Sequence, residues 1–466
     1  LACCGAALLA LAGSAGAQGI APGDLPAAGY TLPGGFEPVL QLRSYWFDQD
    51  SLTGVPSVAW ALGGWAGLRS PWWGEVLQLG LVGYTSQRLY GPQDKSGTLL
   101  LRGDQDPINV VGLAWAALRL AGQTFTAYRQ LIDRPFINPQ DNRMVPNTFE
   151  AYTLSGAPLD GLAYTGGWIT RIKQRASQDF VSMSQAAGGT GRSEGLAFAG
   201  VDWAFTKGGR LRADLQYGVD VYNTFYADAL VPLELAEQTR LTFGAQYFPQ
   251  RSVGDAQIGD FSTWGAGAQA QLVHGPARGF LAFTRTGTGF STQNPYGDHP
   301  SYLNLQQVPF NSAGERAWGI GGTVDFGGFG APGLSASAAY AAGRDRVDAS
   351  TGAPVPNRNE TDIRADYRVA AGGPLAGLVA TLRRGIVKNG VMEQILLAPD
   401  LATQQRLWEQ GWDNRRWRAF LATLCNRRVF DKVYAEGFFT NTGKTSFADH
   451  FGGVIKHVLT ELPARS

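Results

Sequence analysis

Apolar and polar residues alternate along most of this chain, in runs of about ten positions that turns and loops separate. Residues 210–222 give the clearest case, because Leu211 and Leu215 share one parity while Arg212 and Asp214 share the other. Successive side chains of a β-strand point to opposite faces, so each run has one apolar face and one charged face. The pattern predicts an all-β fold with lipid on its outer face and water on its inner face.

The same alternation recurs along the chain. It predicts strands at residues 41–47, 77–85, 111–120, 124–130, 162–173, 196–205, 210–222, 240–248, 264–273, 279–286, 317–326, 334–342, 362–369 and 378–383. The connections are either tight, glycine-rich turns, such as 207–209 and 275–276, or long polar loops, such as 133–147 and 291–314. Short turns on one side and long loops on the other are typical of a transmembrane antiparallel β-barrel. A soluble sandwich is the alternative, but it would need a second sheet to cover each apolar face.

The first residues indicate export. Residues 1–17 form an apolar run that ends in Ala15-Gly16-Ala17, a small-x-small pattern that favours a truncated secretory signal over a buried helix. No later window reaches the length of about 18 apolar residues that a spanning helix needs. The net charge of +1 argues against a nucleic-acid partner, and three cysteines provide no disulfide framework. We therefore expect the bacterial outer membrane as the location and its lipid as a partner.

The polar parity of the strands carries many cations. Arginine suits solutes with a carboxylate because its planar fork can bind both oxygens. A line of such groups along a wet wall would favour small anionic or zwitterionic solutes, although the charges could also serve only to pair with one another. The candidate pore-lining residues are Arg43, Arg171, Lys173, Arg212, Arg364, Arg368 and Arg383.

Residues 128–152 contain a long loop with three prolines, Pro135, Pro139 and Pro146. Proline stiffens a loop, and a stiff loop can fold inward to narrow a pore. The charged groups that this constriction loop would bring into the pore are Arg129, Asp133, Asp141 and Arg143.

This segment resembles the OprD family of outer-membrane porins. Its spaced pattern has Pro135, Asp141, Arg143, Pro146, Thr148 and Phe149 at the family's places, and residues 40–50, 310–334 and 359–385 are similar to three further family segments. The resemblance implies a barrel of about eighteen strands, often trimeric, with a basic ladder along one wall. It also implies uptake of small solutes, commonly carboxylates. By position, Arg43, Arg129 and Arg383 are the best candidates for ladder members, while Ala376 replaces a lysine of the family.

The pattern changes after Gly385, where helical spacing replaces alternation. Trp412, Asn414, Trp417 and Arg418 resemble part of the betaine-lipid synthase family, which transfers an aminocarboxypropyl group from S-adenosylmethionine to diacylglycerol. The nucleotide-binding loop of that family is absent from the sequence. We therefore predict a barrel over residues 18–385 that lacks its last strand, followed by a foreign helical fragment over residues 386–466.

No catalytic constellation accompanies the barrel. His274 and His299 are isolated and show no spacing typical of a metal site, so the sequence predicts no metal site and no cofactor. We predict a porin that is not an enzyme. Two alternatives stay open, a lipid-modifying transferase fragment carried by the tail and a barrel with a structural or adhesive role.

Overall fold

The fold is an antiparallel sheet of eighteen strands, seen in a computed structural model that describes residues 31–50, 56–370 and 377–389. Each long strand pairs with the next one along the chain, and β7 pairs with both β8 and β9. The strands are β1 (Glu37–Gln49), β2 (Ser57–Arg69), β3 (Leu77–Tyr90), β4 (Ile108–Leu120), β5 (Gln123–Gln130), β6 (Thr148–Leu159), β7 (Leu162–Lys173), β8 (Val181–Ser182), β9 (Leu196–Thr206), β10 (Gly209–Gly218), β11 (Tyr222–Ala236), β12 (Thr239–Ser252), β13 (Ser262–His274), β14 (Ala277–Thr286), β15 (Arg316–Asp325), β16 (Leu334–Arg344), β17 (Arg358–Arg368) and β18 (Val379–Asn389).

Helical structure is slight in the described ranges. One α-helical turn, α1 (Met183–Ala186), is closed by a capping box between Ser182 and Gln185. The 3-10 turns are Pro33–Gly35, Gln93–Lys95, Gly103–Gln105 and Gly327–Phe329. None of these described helices has the length and apolar character needed to cross a bilayer.

The two ends of the sheet differ in their connections. At one end, two residues suffice to join β4 to β5, β6 to β7, β9 to β10, β11 to β12 and β13 to β14. At the other end lie the segments 91–107, 131–147, 287–315 and 345–357. We call these the short-turn end and the long-loop end. In bacterial outer-membrane barrels the short turns are periplasmic and the long loops extracellular, which orients the sheet.

Exposure alternates along the strands as the sequence predicts. On β10, Leu211, Leu215 and Tyr217 are 41%, 54% and 44% exposed, whereas Asp214 between them is 2% exposed. Large apolar residues are exposed in the same way on the other strands, including Phe243 on β12 and Phe283 on β14. The apolar parity therefore forms the outer surface, and the polar parity faces the lumen.

Several strand predictions need correction. The strand that we expected at 210–222 ends at Gly218, because Asp220 adopts a positive φ of 56° in a tight turn and Val221 is buried. The predictions also omitted β2, β6, β8 and β11. On β2, alternation is obscured because Ala59, Ala61 and Trp65 on the inner face are apolar too.

The last strand is also longer than predicted. We expected it to end at residue 383, yet β18 continues to Asn389, with Leu382 and Ile386 on the outer parity and Arg383 and Gly385 on the inner parity. It therefore crosses the boundary that we placed after Gly385. The predicted signal segment 1–17 and the predicted helical tail, apart from its first residues, lie outside the described residues.

Candidate pore constriction and charged wall

Two long loops fold into the lumen. The constriction loop (131–147) joins β5 to β6, and its residues Phe136, Ile137, Met144 and Val145 are fully buried against the inner faces of the strands. The second inward loop (287–315) joins β14 to β15 and buries Leu303, Phe310 and Tyr296 in the same way. Met144 and Val145 pack in one cluster with Ala59, Ala61 and Trp65 of β2, together with Leu100 and Leu101 of the loop 91–107. This packing explains why the inner face of β2 is apolar, since water does not reach it there.

On one side of the lumen, Arg43 of β1 holds the constriction loop. Its Nη1 and Nη2 donate to Oδ1 and Oδ2 of Asp141 over 2.6 and 2.7 Å, and Nη1 also donates to the carbonyl of Arg143 over 2.8 Å. The guanidinium lies 4.4 Å from the ring centre of Trp65. Two parallel hydrogen bonds fix both the distance and the orientation of the loop relative to β1.

On the other side, Arg134 anchors the same loop to β9 and β10. This arginine is 2% exposed and donates to Asp202 of β9 and, over 2.6 Å, to Asp214 of β10. The other oxygen of Asp202 accepts from Arg212 over 2.6 Å. Gly200 leaves the space for this contact, since a Cβ there would lie 2.2 Å from Nη2 of Arg134. Two arginines and two aspartates thus form a neutral network at the wall.

The two inward loops meet inside the lumen. Asn138 of the constriction loop donates to the carbonyl of Asp298 over 3.1 Å and accepts from its amide over 2.7 Å, and Gln140 donates to its carboxylate over 2.9 Å. The second inward loop is held in turn by Glu360 of β17, whose carboxylate accepts from the amides of Gln307 and Val308. Both loops are therefore fastened to the wall and to each other, and together they narrow the lumen.

His299 directly follows Asp298 at this junction. It is 3% exposed, shares a 2.6 Å hydrogen bond with Thr292, and accepts from the amide of Ser301 over 3.2 Å. The rings of Phe136 and Phe248 form T-shaped contacts with its imidazole, with ring centres 5.2 and 5.4 Å away. Burial lowers the pKa of His299 to about 3, so its imidazole is neutral and holds the loop by hydrogen bonds.

The predicted ladder residues on β17 and β18 face the lumen. Ile363 and Tyr367 are exposed on the outer face, so Arg364 and Arg368 point inward. Asp366 accepts hydrogen bonds from Arg364 over 2.5 and 2.8 Å and from Thr381 of β18 over 2.6 Å. Arg383 is close enough for the charges of Arg364 and Asp366 to act on its guanidinium. Nε of Arg383 has no hydrogen-bond partner among the described residues.

Other predicted site residues have different surroundings. Arg212 faces the lumen but is paired with Asp202. Lys173 is fully buried and donates to the carbonyl of Gln174, so water in the pore does not reach it. Arg143 is 9% exposed and donates to the carbonyl of Thr98, which ties two loops together. Asp133 is exposed at the start of the constriction loop.

Arg129 and Arg171 are not in the lumen, contrary to our expectation. Both stand directly opposite Glu150, Arg129 on β5 and Arg171 on β7. Glu150 shares the parity of Tyr152 and Leu154, which are 53% and 44% exposed on the outer face. Residues directly opposite one another share a face of the sheet, so these two arginines point outward.

Sequence reasoning missed Arg134, Asp202 and Glu360. Arg134 lies between Asp133 and Pro135, and nothing in its local sequence distinguishes it from a solvated loop residue. Asp202 had a usable signal, because it is a charge at the centre of the lumen parity of a predicted strand. Its partners lie 68 and 10 positions away, and only the sheet brings them together.

The comparisons with known proteins agree with this architecture. Residues 35–395 match the family described as outer membrane porin, OprD family. Porin D of Pseudomonas aeruginosa is 27% identical over 333 residues, which are 66% of this chain and 73% of that protein. Among solved structures, OccK9 (OpdG) of Pseudomonas aeruginosa has a TM-score of 0.68 at 23% identity, covering 75% of this chain and 92% of that one.

OpdK of Pseudomonas aeruginosa, solved with vanillate, has a TM-score of 0.67 at 24% identity over the same shares of the two chains. The family match covers every described strand and both inward loops. The fold, the lumen and the match together lead to one conclusion: the chain belongs to the OprD family of outer-membrane porins.

Proposed function

We propose that this porin admits small solutes that carry a carboxylate, along a basic wall formed by Arg364, Arg368 and Arg383. The observation that carries the proposal is the pair Arg364–Arg383, which stands on the lumen side of adjacent strands with one carboxylate, Asp366, between them. Two guanidinium groups that share one aspartate leave a net positive charge. An anionic group passing this point gains charge-assisted hydrogen bonds without displacing a matched partner.

The remaining lumen charges favour weak binding of the solute over tight binding. Asp202, Asp214 and Asp228 occupy the opposite wall and are paired with Arg134, Arg212 and Arg210. A solute therefore meets a local excess of positive charge at the level of Arg364, Asp366 and Arg383, whereas Glu360 and Asp362 of the same strand accept from amides of the second inward loop. On the other wall it meets a balanced network. Vanillate, the ligand of the OpdK structure, carries a carboxylate, which fits this arrangement. Passage by diffusion needs no chemical step, and a homotrimer stays an expectation from the family.

Reversal potentials in planar bilayers with a salt gradient test the proposal. Arg364→Gln and Arg383→Gln should each shift selectivity toward cations and lower benzoate permeation about fivefold, because each removes about 1 kcal/mol of anion stabilisation. Arg285→Gln is the matched control, since Arg285 shares the outer parity of Leu281 and Phe283 on β14. Unchanged reversal potentials in both lumen variants would show that the basic wall does not select solutes.

A further inference from the structure

A row of charges crosses the outer surface of β5, β6 and β7. Nε of Arg129 donates to Oε1 of Glu150 over 3.0 Å, and Nη1 donates to the carbonyl of Val111 over 2.8 Å. Its guanidinium lies 4.0 Å from the ring centre of Phe180. On the neighbouring strand β7, Arg171 is the direct register partner of Glu150. Arg171 is exposed and forms no ion pair within the described part of the chain. Two arginines flank one glutamate, which leaves a net positive charge.

An apolar groove lies on the same three strands. It has a volume of about 290 Å³ and is lined by Phe125, Tyr152, Leu154 and Tyr164, with Gly166 and Gly167 at its floor. Phe125, Leu154 and Gly166 stand side by side across the strands, so the missing side chain of Gly166 opens the space between its neighbours. The groove is therefore part of the surface that faces lipid.

The charges and the groove lie at different depths. Arg129 and Arg171 are near the ends of β5 and β7 that lead into long loops, so they lie at the long-loop end. Tyr152 and Leu154 follow Glu150 by two and four residues, which places them about 7 and about 14 Å deeper along the strand. Charges on a lipid-facing surface cost little near the interface and several kcal/mol at the midplane, so this depth is where arginines are tolerated.

We propose that this surface binds one phosphate-bearing acyl lipid of the outer leaflet. Arg171 and Arg129 hold the phosphate, and an acyl chain lies in the groove between Phe125, Leu154 and Tyr164. Guanidinium groups bind phosphate oxygens through paired hydrogen bonds, and Arg171 has its donors available. The ring of Phe180 holds Arg129 in place from the loop side.

The arrangement favours a lipid over a second copy of this chain. A phosphate bound above an acyl chain matches the order of the charges and the groove along the strands. Tyr152, which lines the charged end of the groove, and Trp168 opposite it lie at the depth where aromatic side chains meet headgroups. Glu150 limits the strength of the site because it stands between the two cations. This site does not depend on which solute passes the pore.

Native mass spectrometry of the full chain in detergent tests the proposal, with synthetic diphosphoryl lipid A as the probe and phosphatidylcholine as the comparison. We expect one retained lipid A and little phosphatidylcholine. Arg129→Gln/Arg171→Gln should lower lipid A retention about tenfold. Glu150→Gln should raise it, because a negative charge next to the phosphate is removed, and a merely structural role of Glu150 would not predict a rise.

Matched variants separate this site from general adhesion. Arg285→Gln lies on the outer face of β14 and should leave retention unchanged, as should Leu281→Ala/Phe283→Ala. Phe125→Ala/Leu154→Ala flattens the groove and should lower retention. Three results would each overturn the proposal. The β14 variants could lose lipid A equally, phosphatidylcholine could be retained as well as lipid A, or the groove variants could dissociate an oligomer that holds no lipid. Reversal potentials should be the same in all of these variants.

Discussion

Arg43 and Asp141 lie 98 positions apart in the chain, and the fold joins them through two parallel hydrogen bonds of 2.6 and 2.7 Å. The pair links the first strand to the tip of the constriction loop. It also changes the role of Arg43, which we expected to be a member of the basic ladder. Because its charge is matched by Asp141, Arg43 positions the loop and adds little net charge to the lumen.

Substituting either partner of this pair should change selectivity in opposite directions. Asp141→Asn leaves Arg43 without a charged partner and should increase anion preference, whereas Arg43→Gln leaves Asp141 and should increase cation preference. The pair is partly exposed, so each change should weaken loop anchoring by only about 1 kcal/mol. Reversal potentials check this. A shift of the same sign in both variants would mean that loop displacement, not charge, controls selectivity.

Arg134 should contribute more to stability than Arg43. It is almost completely buried, and its removal leaves Asp202 and Asp214 facing each other with one cation fewer. Breaking a buried pair on one side costs about 3–5 kcal/mol. We expect Arg134→Met to lower the midpoint of urea unfolding and to give a larger, fluctuating single-channel conductance with more cation preference. Arg285→Met on the outer face is the control and should change neither quantity.

Gly200→Ala separates the steric part of this anchor from its charge. The new Cβ would lie 2.2 Å from Nη2 of Arg134 and 2.3 Å from Oδ1 of Asp214, so the guanidinium must move. All charges are kept. Single-channel conductance should therefore change while the reversal potential stays the same. Gly83→Ala is the control, because the nearest atom to its Cβ is 3.7 Å away. A wild-type conductance for Gly200→Ala would contradict a rigid anchor.

The buried His299 should make the second inward loop sensitive to acid. Its pKa is about 3 in the folded protein and 6.5 as an ordinary value, so between these values only the unfolded state binds the proton. Stability from this group is fully present above about pH 6.5 and is lost as pH falls, by up to about 1.4 kcal/mol per pH unit.

Urea unfolding of the wild type and of His299→Gln at several pH values measures this contribution. The wild-type free energy of unfolding should fall more steeply than that of the variant between about pH 6.5 and 4. The difference between the two proteins isolates His299 from the carboxylates, which titrate in both. A constant difference over this range would show that folding does not lower the pKa of His299.

Parity along the sequence determined the faces of the sheet. Leu211 and Leu215 are outside and Arg212 and Asp214 inside, because a strand allows no other arrangement of successive side chains. The resemblance to the OprD family also came from the sequence alone, since the spaced motif around Asp141 needs no coordinates. The alternation could not find β2, because loop residues cover its inner face and remove the need for polar side chains there.

The roles of the arginines were decided by tertiary structure. A β-bulge changes the face to which the following residues of a strand point. The pairing of β6 with β7 shifts register between Glu150 and Ala151, and Arg171 of β7 therefore points outward. The alternation of the earlier residues of β7 did not indicate this shift. The pairing of Arg134 with Asp202 joins a loop to a distant strand, and no local pattern encodes it. The sequence by itself determined which residues are charged and which face each strand presents to lipid. Only the folded sheet decided which charges are matched, because the partner of a charge depends on contacts between segments far apart in the chain.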